Sequence, residues 1–186
     1  MRERFSGVLG TPDAAASLPG QLARLQFAAG ALAYPADVAT YQEGGRVCLA
    51  LGRPRFRDAA LQQACTRQGA AAAWAQAFAR FGDDAVHQAA GRFCVVMVAD
   101  DGREALLATD RFGTWPICYA ARDGRLHFSD RADTVPGVER RVAPQAVFEY
   151  LFFHMIPAPT TIFEGVIRLP HGHLLKWRDG QAECRR

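Results

Sequence analysis

Three arginines in alternate positions are the residues of this sequence best placed to bind an anion. The stretch GRPRFRD puts Arg53, Arg55 and Arg57 two residues apart, so in an extended chain all three side chains point to one side. A guanidinium group donates paired hydrogen bonds, and such a row could therefore hold a carboxylate or a phosphate of a substrate. The alternative is a solvated strand edge, on which the charges and Pro54 prevent pairing with a further strand. The sequence favours the edge and leaves the anion site open.

Histidine and cysteine, the usual metal ligands, are present but poorly spaced for a metal site. His171 and His173 stand two residues apart, and no third ligand has a spacing that suits zinc. The cysteines are widely separated, form no CxxC pair and fall mostly within apolar runs; they are Cys48, Cys65, Cys94, Cys118 and Cys184. We therefore predict no metal and no cofactor in this chain, and reduced thiols typical of a cytoplasmic protein.

The composition indicates one compact domain. The chain has 186 residues, of which 49% are hydrophobic and 22% are charged, which is enough apolar surface for a core. Its net charge of +3 is too small to indicate binding to nucleic acid or to a membrane surface. The sequence shows neither a leader pattern nor an apolar run of bilayer length, so we expect a cytoplasmic location.

Buried strands are the first elements that would position these residues. Phe93–Ala99 and Ala105–Ala108 are apolar runs joined by the turn residues 100–102, which predicts a hairpin. Neither run alternates apolar with polar residues, so both strands should be buried on both faces. This pattern predicts a sheet covered by helices on one side and by a second sheet on the other.

Three helices complete the predicted elements. Asp58 is a suitable N-cap for a helix that ends at Gln68, before Gly69. The second helix carries apolar residues at helical spacing, namely Trp74, Ala77, Phe78 and Phe81. The third begins near Pro144 and ends at Phe153. With the strands, these helices predict an α+β fold.

Two long stretches carry a family resemblance. The first runs from Gly91 to Tyr119 and contains the segment DRFG, in which we expect Asp110 and Arg111 to form a buried, mutually satisfied pair. The second is YLFFHMIPAPTTIFEGVIRLPHGHLL, residues 150–175. Both resemble the N-terminal class II glutamine amidotransferase domain of the asparagine synthetase family. The resemblance implies a fold similar to that of the N-terminal nucleophile (Ntn) hydrolases, a four-layer αββα sandwich of two antiparallel sheets between helical layers.

The resemblance also identifies the position of a catalytic nucleophile, which is Ser6. In the family the mature chain begins with a cysteine, whose thiol attacks the side-chain amide of glutamine while its free α-amino group acts as the general base. Here the aligned residue carries a hydroxyl, a weaker nucleophile, and its nitrogen is bound to Phe5. Removal of the first five residues would leave a terminal serine nucleophile, and this alternative stays open.

Two further catalytic roles of the family are altered. The family segment Asn-Gly-Glu aligns with Leu51, Gly52 and Arg53, so the oxyanion-hole position Gly52 is kept but the amide donor is lost. Ala70 aligns with the aspartate that holds the amino group of glutamine, and no carboxylate lies between Arg67 and Phe81. The resemblance therefore implies a degenerate glutaminase site.

The resemblance divides the chain into residues 1–175, an Ntn-type domain, and residues 176–186, the start of a connection to an ATP-pyrophosphatase domain. That following domain would be the partner of this one, and ATP and Mg²⁺ would bind in it. We expect a glutaminase-inactive recognition or scaffold domain of an asparagine synthetase-type, ATP-dependent amide-forming enzyme, similar to the N-terminal domains of lasso-peptide cyclases.

Two other functions stay open: a processed Ntn hydrolase that uses Ser6, and a stand-alone module that binds a small anion or a peptide. A small-molecule or peptide substrate is a further expected partner, and a homodimer is also left open.

Overall fold

The computed structural model describes residues 5–19, 22–36 and 38–186, and its framework is a pair of stacked six-stranded antiparallel sheets. The strands are β1 (Ser6–Leu9), β2 (Ala23–Phe27), β3 (Gly30–Tyr34), β4 (Ala39–Glu43), β5 (Arg46–Phe56), β6 (Ala89–Ala99), β7 (Glu104–Thr109), β8 (Cys118–Arg122), β9 (Arg125–Ser129), β10 (Ile167–Arg168), β11 (Leu174–Arg178) and β12 (Gln181–Arg185). The first sheet has the order β10-β8-β9-β1-β3-β2, and the second has the order β12-β11-β7-β6-β5-β4.

The predicted hairpin is the centre of the second sheet. The strands β6 and β7 contain both apolar runs and pair in register from Cys94 with Thr109 to Val98 with Ala105. One face of β6 packs into the core between the two sheets, and the other face packs under helices, so alternate side chains are buried on opposite sides. The lack of alternation in the sequence therefore follows from burial on both faces.

Helices cover the outer face of the second sheet as predicted. Helix α1 (Ala59–Gln68) begins at Asp58, whose Oδ1 accepts hydrogen bonds from the backbone N–H groups of Ala60 at 2.9 Å and Leu61 at 3.1 Å. Helix α2 (Ala70–Phe81) buries Trp74 against the sheet. Helix α3 (Pro144–Phe153) lies between β9 and β10 of the first sheet in sequence and buries one residue, Ala146.

The predicted α+β fold of two antiparallel sheets with helices is confirmed. The outer face of the first sheet is covered by the 3₁₀ turn Pro12–Ser17, through Ala14 and Leu18, and by loop residues such as Val135. On this side, short turns and loops therefore provide the covering layer. No helix in the described ranges is long and apolar enough to cross a membrane.

The last residues of the chain form part of the second sheet. Strand β11 pairs with β7 from Leu174 to Arg178, and β12 pairs with β11 over the same length. The expected domain boundary after Leu175 therefore falls inside β11, and residues 176–185 contribute the rest of β11 and the edge strand β12 to the sheet.

Phe5 fixes the beginning of β1. Its ring is 2% exposed and its centroid lies 6.3 Å from that of Phe128 in the core between the sheets. Its carbonyl oxygen accepts hydrogen bonds from Ser129 Oγ at 3.0 Å and from the N–H of Asp130 at 3.3 Å. The residue before Ser6 is therefore a component of the core.

Gly52 occupies a position in β5 that admits only glycine. Its φ of +89° is unfavourable for other residues, and an added Cβ would overlap the carbonyl oxygen of Arg92 and lie 2.8 Å from Nε1 of Trp115. Gly44 also has a positive φ, +58°, but an added Cβ there would meet no atom within 4 Å. The two glycines therefore share a backbone requirement and differ in their packing.

We predict that Phe5→Ala lowers the free energy of unfolding by about 3–5 kcal/mol, because it empties a well-packed core position. Phe112→Ala, at a side chain that is 69% exposed, is the matched control and should change stability by no more than about 0.5 kcal/mol. Urea denaturation of both variants measures this difference. Equal, small effects would show that Phe5 is not a core residue.

We also predict that Gly52→Ala destabilises the fold by more than Gly44→Ala, which should cost about 1 kcal/mol for its backbone alone. The additional loss at Gly52 arises from the overlap with the β6 backbone. Thermal unfolding of the two variants compares them directly. Indistinguishable midpoints would contradict the close packing of Gly52.

Candidate functional site

Ser6 lies in the middle of the first sheet with its side chain buried. Strand β1 pairs with β3 and β9, which places Ser6 opposite Ala33 on one side and Ser129 on the other. The residue is 0% exposed, and its Oγ has no hydrogen-bond partner among the described residues. Val8, two residues later, packs in the cluster on the outer face of the sheet, and alternation places Ser6 on that same face. The hydroxyl therefore points away from the space between the sheets.

The second requirement of an Ntn nucleophile, a free amine on the same residue, is not met in this chain. The nitrogen of Ser6 is in a peptide bond to Phe5, which the core holds in place. A peptide nitrogen has no basic lone pair and cannot act as a general base. While it is bonded to Phe5, Ser6 therefore has neither an accessible hydroxyl nor a basic nitrogen.

Cys94 is the one core thiol on the inter-sheet face of β6, and it does not replace the missing nucleophile. The residue is 0% exposed. Burial raises the pKa of its thiol well above the ordinary value, and the carboxylates of Asp130 and Asp110 raise the pKa further. Because the thiolate is the reactive form, Cys94 is inert at neutral pH.

Asp110 of the DRFG segment has a structural role. Its Oδ1 accepts from the N–H of Phe112 at 2.8 Å, and its Oδ2 accepts from the N–H groups of Phe93 at 3.1 Å and Thr114 at 3.3 Å. Arg111 is exposed, with its guanidinium carbon 5.1 Å from the centroid of the Phe112 ring. The predicted Asp110–Arg111 pair is wrong, because three backbone donors satisfy the carboxylate instead.

At the predicted oxyanion hole, Leu51 packs in the inter-sheet core beside Gly52. The close approach of Arg92 and Trp115 already requires a glycine at residue 52. A catalytic role for Gly52 therefore stays a prediction.

The three predicted arginines are exposed at the end of β5. The strand is extended from Arg46 to Phe56, so Arg53 and Arg55 alternate with the buried Pro54 and Phe56, as the sequence suggested. Arg57 lies one residue beyond the strand, and its N–H donates to the carbonyl oxygen of Gln88 at 2.8 Å. None of the three forms an ion pair with a described residue.

The structure adds Arg92, which sequence reasoning did not identify. The register of β5 and β6 places Arg92 directly opposite Arg53. The two residues are 39 positions apart with helices α1 and α2 between them, so only the strand register could have revealed the pair. Two like charges thus face each other without a described carboxylate partner.

The two histidines form no metal site in the described part of the chain. Nδ1 of His173 lies 2.9 Å from the carbonyl oxygen of His171, and the His171 ring packs against Gly113. Within residues 5–19, 22–36 and 38–186, no three His, Cys, Asp or Glu side chains are arranged to hold an ion.

A separate pocket of about 200 Å³ lies on the outer side of the second sheet. Its charged walls are paired, since Lys176 contacts Asp83 at 3.1 Å and Arg178 contacts Glu104. These ion pairs leave little uncompensated charge for a ligand, so the unpaired arginines of β5 and β6 are the stronger candidate.

Comparison with solved structures shows which fold this is. Glutamine phosphoribosylpyrophosphate (PRPP) amidotransferase from B. subtilis, complexed with ADP and GMP, aligns with 99% of this chain at a TM-score of 0.51 and 11% identity. A structure described as the allosteric regulatory enzyme of purine biosynthesis aligns with 99% at a TM-score of 0.52 and 10% identity. In both cases this chain spans 43% of the other chain, and the likeness shows the fold alone.

Sequence comparison shows the family. No curated protein matches the chain. The sequence model of the glutamine amidotransferase domain matches residues 57–186, which is more than half of the chain and includes both stretches on which the resemblance rests. This match establishes that the chain belongs to the glutamine amidotransferase domain family.

Proposed function

We propose that this chain is a glutaminase-inactive glutamine amidotransferase domain with a recognition or scaffolding role in an asparagine synthetase-type, ATP-dependent amide-forming enzyme. The observation that carries the proposal is the environment of Ser6. Its side chain is buried on the outer face of its sheet, and its nitrogen is in a peptide bond to the core residue Phe5. Attack on glutamine requires an accessible nucleophile with a basic partner, and Ser6 provides neither. The changes at Leu51 and Ala70 support the same conclusion.

Processing that exposes Ser6 would have a large energetic cost. It removes Met1–Arg4, which lie outside the described residues, together with Phe5, whose ring fills the core. It also creates a charged ammonium group at a position that is 0% exposed, and burial of an unpaired charge is strongly unfavourable. These costs favour the unprocessed, inactive domain over the alternative of a serine hydrolase.

The scaffolding role is supported by an apolar helix that the domain itself does not bury. Six large apolar side chains in and directly after α3 are between 54% and 70% exposed; they are Phe148, Tyr150, Leu151, Phe152, Phe153 and Met155. With roughly 150–250 Å² for a fully buried aromatic side chain, their exposed parts amount to about 600–900 Å². A monomer seldom exposes so large a patch, and one partner contributes about 800 Å² to a standard protein interface.

The exposed side chains of α3 surround the helix. Phe148 and Phe152 stack one turn apart with centroids 6.2 Å from each other, and Leu151 lies on the same side. At about 100° per residue, Tyr150 and Phe153 lie on the opposite side. A helix that is apolar all round is typical of one buried within a protein. The partner should therefore provide an apolar groove that encloses α3.

The proposed partner is the ATP-pyrophosphatase domain of the amide-forming enzyme. The resemblance implies such a domain after this one, and the chain spans less than half of the solved chains that it matches. ATP and Mg²⁺ would bind in that partner and not in this domain.

We expect no glutamate release when the purified chain is incubated with L-glutamine. A variant beginning Met-Cys-Gly in place of residues 1–7 supplies a terminal cysteine after methionine removal and serves as the comparison. A coupled assay for glutamate, with mass determination of the native N-terminus, gives the result. Clear turnover by the native chain, or a native chain that begins at Ser6, would overturn the proposed inactivity.

We expect Leu151→Glu combined with Phe152→Glu to remove most binding of an apolar dye by the isolated chain while leaving its thermal midpoint nearly unchanged, because both side chains are exposed. Phe112→Glu, an equally exposed site outside α3, is the control. In a protein that carries this domain together with the proposed ATP-pyrophosphatase domain, α3 amides should exchange hydrogen more slowly than in this chain alone. Equal exchange in the two proteins would refute docking through α3.

A further inference from the structure

Arg53, Arg55 and Arg92 share the face of the second sheet that is directed towards the space between the sheets. The register runs without a bulge from Leu51 opposite Cys94 to Arg53 opposite Arg92. Leu51 and Cys94 both belong to the core cluster between the sheets, and residues two positions along a strand share its face. The three guanidinium groups therefore project from one face at the exposed end of the β5–β6 pair.

The spacing allows these side chains to meet at one point. Directly opposed residues of antiparallel strands have Cβ atoms about 4.5–5.5 Å apart, which applies to Arg53 and Arg92. Arg55 follows Arg53 by two residues, at roughly 6.5–7 Å along the strand. An arginine side chain is longer than either separation. All three can therefore contact a single bound group.

The charges of this cluster are not compensated within the described part of the chain. Nearby carboxylates have other partners, since Asp58 pairs with Arg80 at 2.7 Å and Asp110 accepts three backbone hydrogen bonds. Like charges placed directly opposite each other destabilise a sheet. A bound anion would remove this repulsion.

Protection of the strand edge does not account for the cluster. Residues 51–56 of β5 extend beyond β4, which pairs with Arg46–Ala50. At this edge Pro54 lacks an N–H, and the N–H of Phe56 donates to Gln62 Oε1 at 2.9 Å, so pairing is already blocked. Arg92 lies on β6 beyond the residues that pair with β7, and on that side the N–H and the carbonyl oxygen of the adjacent Phe93 are already hydrogen-bonded to Asp110. Its charge therefore contributes nothing to the protection of an edge.

We propose that Arg53, Arg55 and Arg92 form a binding site for a phosphoryl group of a small-molecule ligand. A phosphate dianion has enough oxygens to accept from several guanidinium forks at once, whereas a single carboxylate is satisfied by one fork and neutralises one charge. The resemblance places a glutamate of the family at the position of Arg53, so the charge at this point of the pocket is reversed.

This site does not depend on the proposed function, because phosphate can bind whether or not the domain hydrolyses glutamine or docks through α3. Calorimetric titration of the purified chain with inorganic phosphate, at constant ionic strength, is the test. Arg53→Gln and Arg92→Gln should each weaken phosphate binding by at least about tenfold, since each removes charge-assisted hydrogen bonds. Both variants should melt no lower than the native chain, because they relieve a like-charge contact.

Arg67→Gln is the matched control, since Arg67 is an exposed arginine near the end of α1 and its loss changes the net charge equally. Phosphate binding should be unchanged in this variant. If Arg53→Gln, Arg92→Gln and Arg67→Gln all weakened phosphate binding equally, the effect would be one of net charge and not of a site. Absence of phosphate binding to the native chain at millimolar concentration would refute the proposed site. Succinate serves as the carboxylate probe, and binding as tight as that of phosphate would overturn the phosphoryl assignment.

Discussion

The packing of Phe5 against Phe128 is the contact on which the functional interpretation of this domain depends. It fixes the first described residue between the two sheets and holds β1 in register with both of its neighbours. In a catalytic relative of this class, the residue at the position of Ser6 must be a free chain end with an exposed nucleophile. Ser6 cannot have a free amine while the anchoring residue Phe5 is bonded to its nitrogen. In this chain the ring of Phe5 fills the core, and the nitrogen of Ser6 is in a peptide bond.

Much of the fold could be predicted from the sequence because the relevant signals are local. The β6–β7 hairpin follows from two apolar runs and a short turn, and α1 follows from Asp58 with its two backbone hydrogen bonds. The end of the domain could not be placed in this way. Strands β11 and β12 are short; β11 pairs with β7, whose residues lie about 70 positions earlier in the chain, and β12 pairs with β11.

The candidate site was harder to predict because its residues are distant from one another in the sequence. The alternation of Arg53 and Arg55 is visible in the sequence, but Arg92 becomes their neighbour only through a strand register set across two helices. The predicted pairing of Asp110 with Arg111 was wrong because it rested on opposite charges alone. The three backbone N–H groups that donate to Asp110 cannot be identified from residue types. Contacts made by the backbone leave little trace in residue types.

The anchoring of Phe5 has an evolutionary consequence. A mutation that merely restored cysteine at residue 6 would give a buried thiol on a blocked nitrogen, without a gain in activity that selection could act on. Removal of the preceding residues alone would open a hole in the core and lower stability. Each single change towards the N-terminus of the family is therefore neutral or destabilising, so a free, accessible nucleophile at residue 6 would require several changes at once.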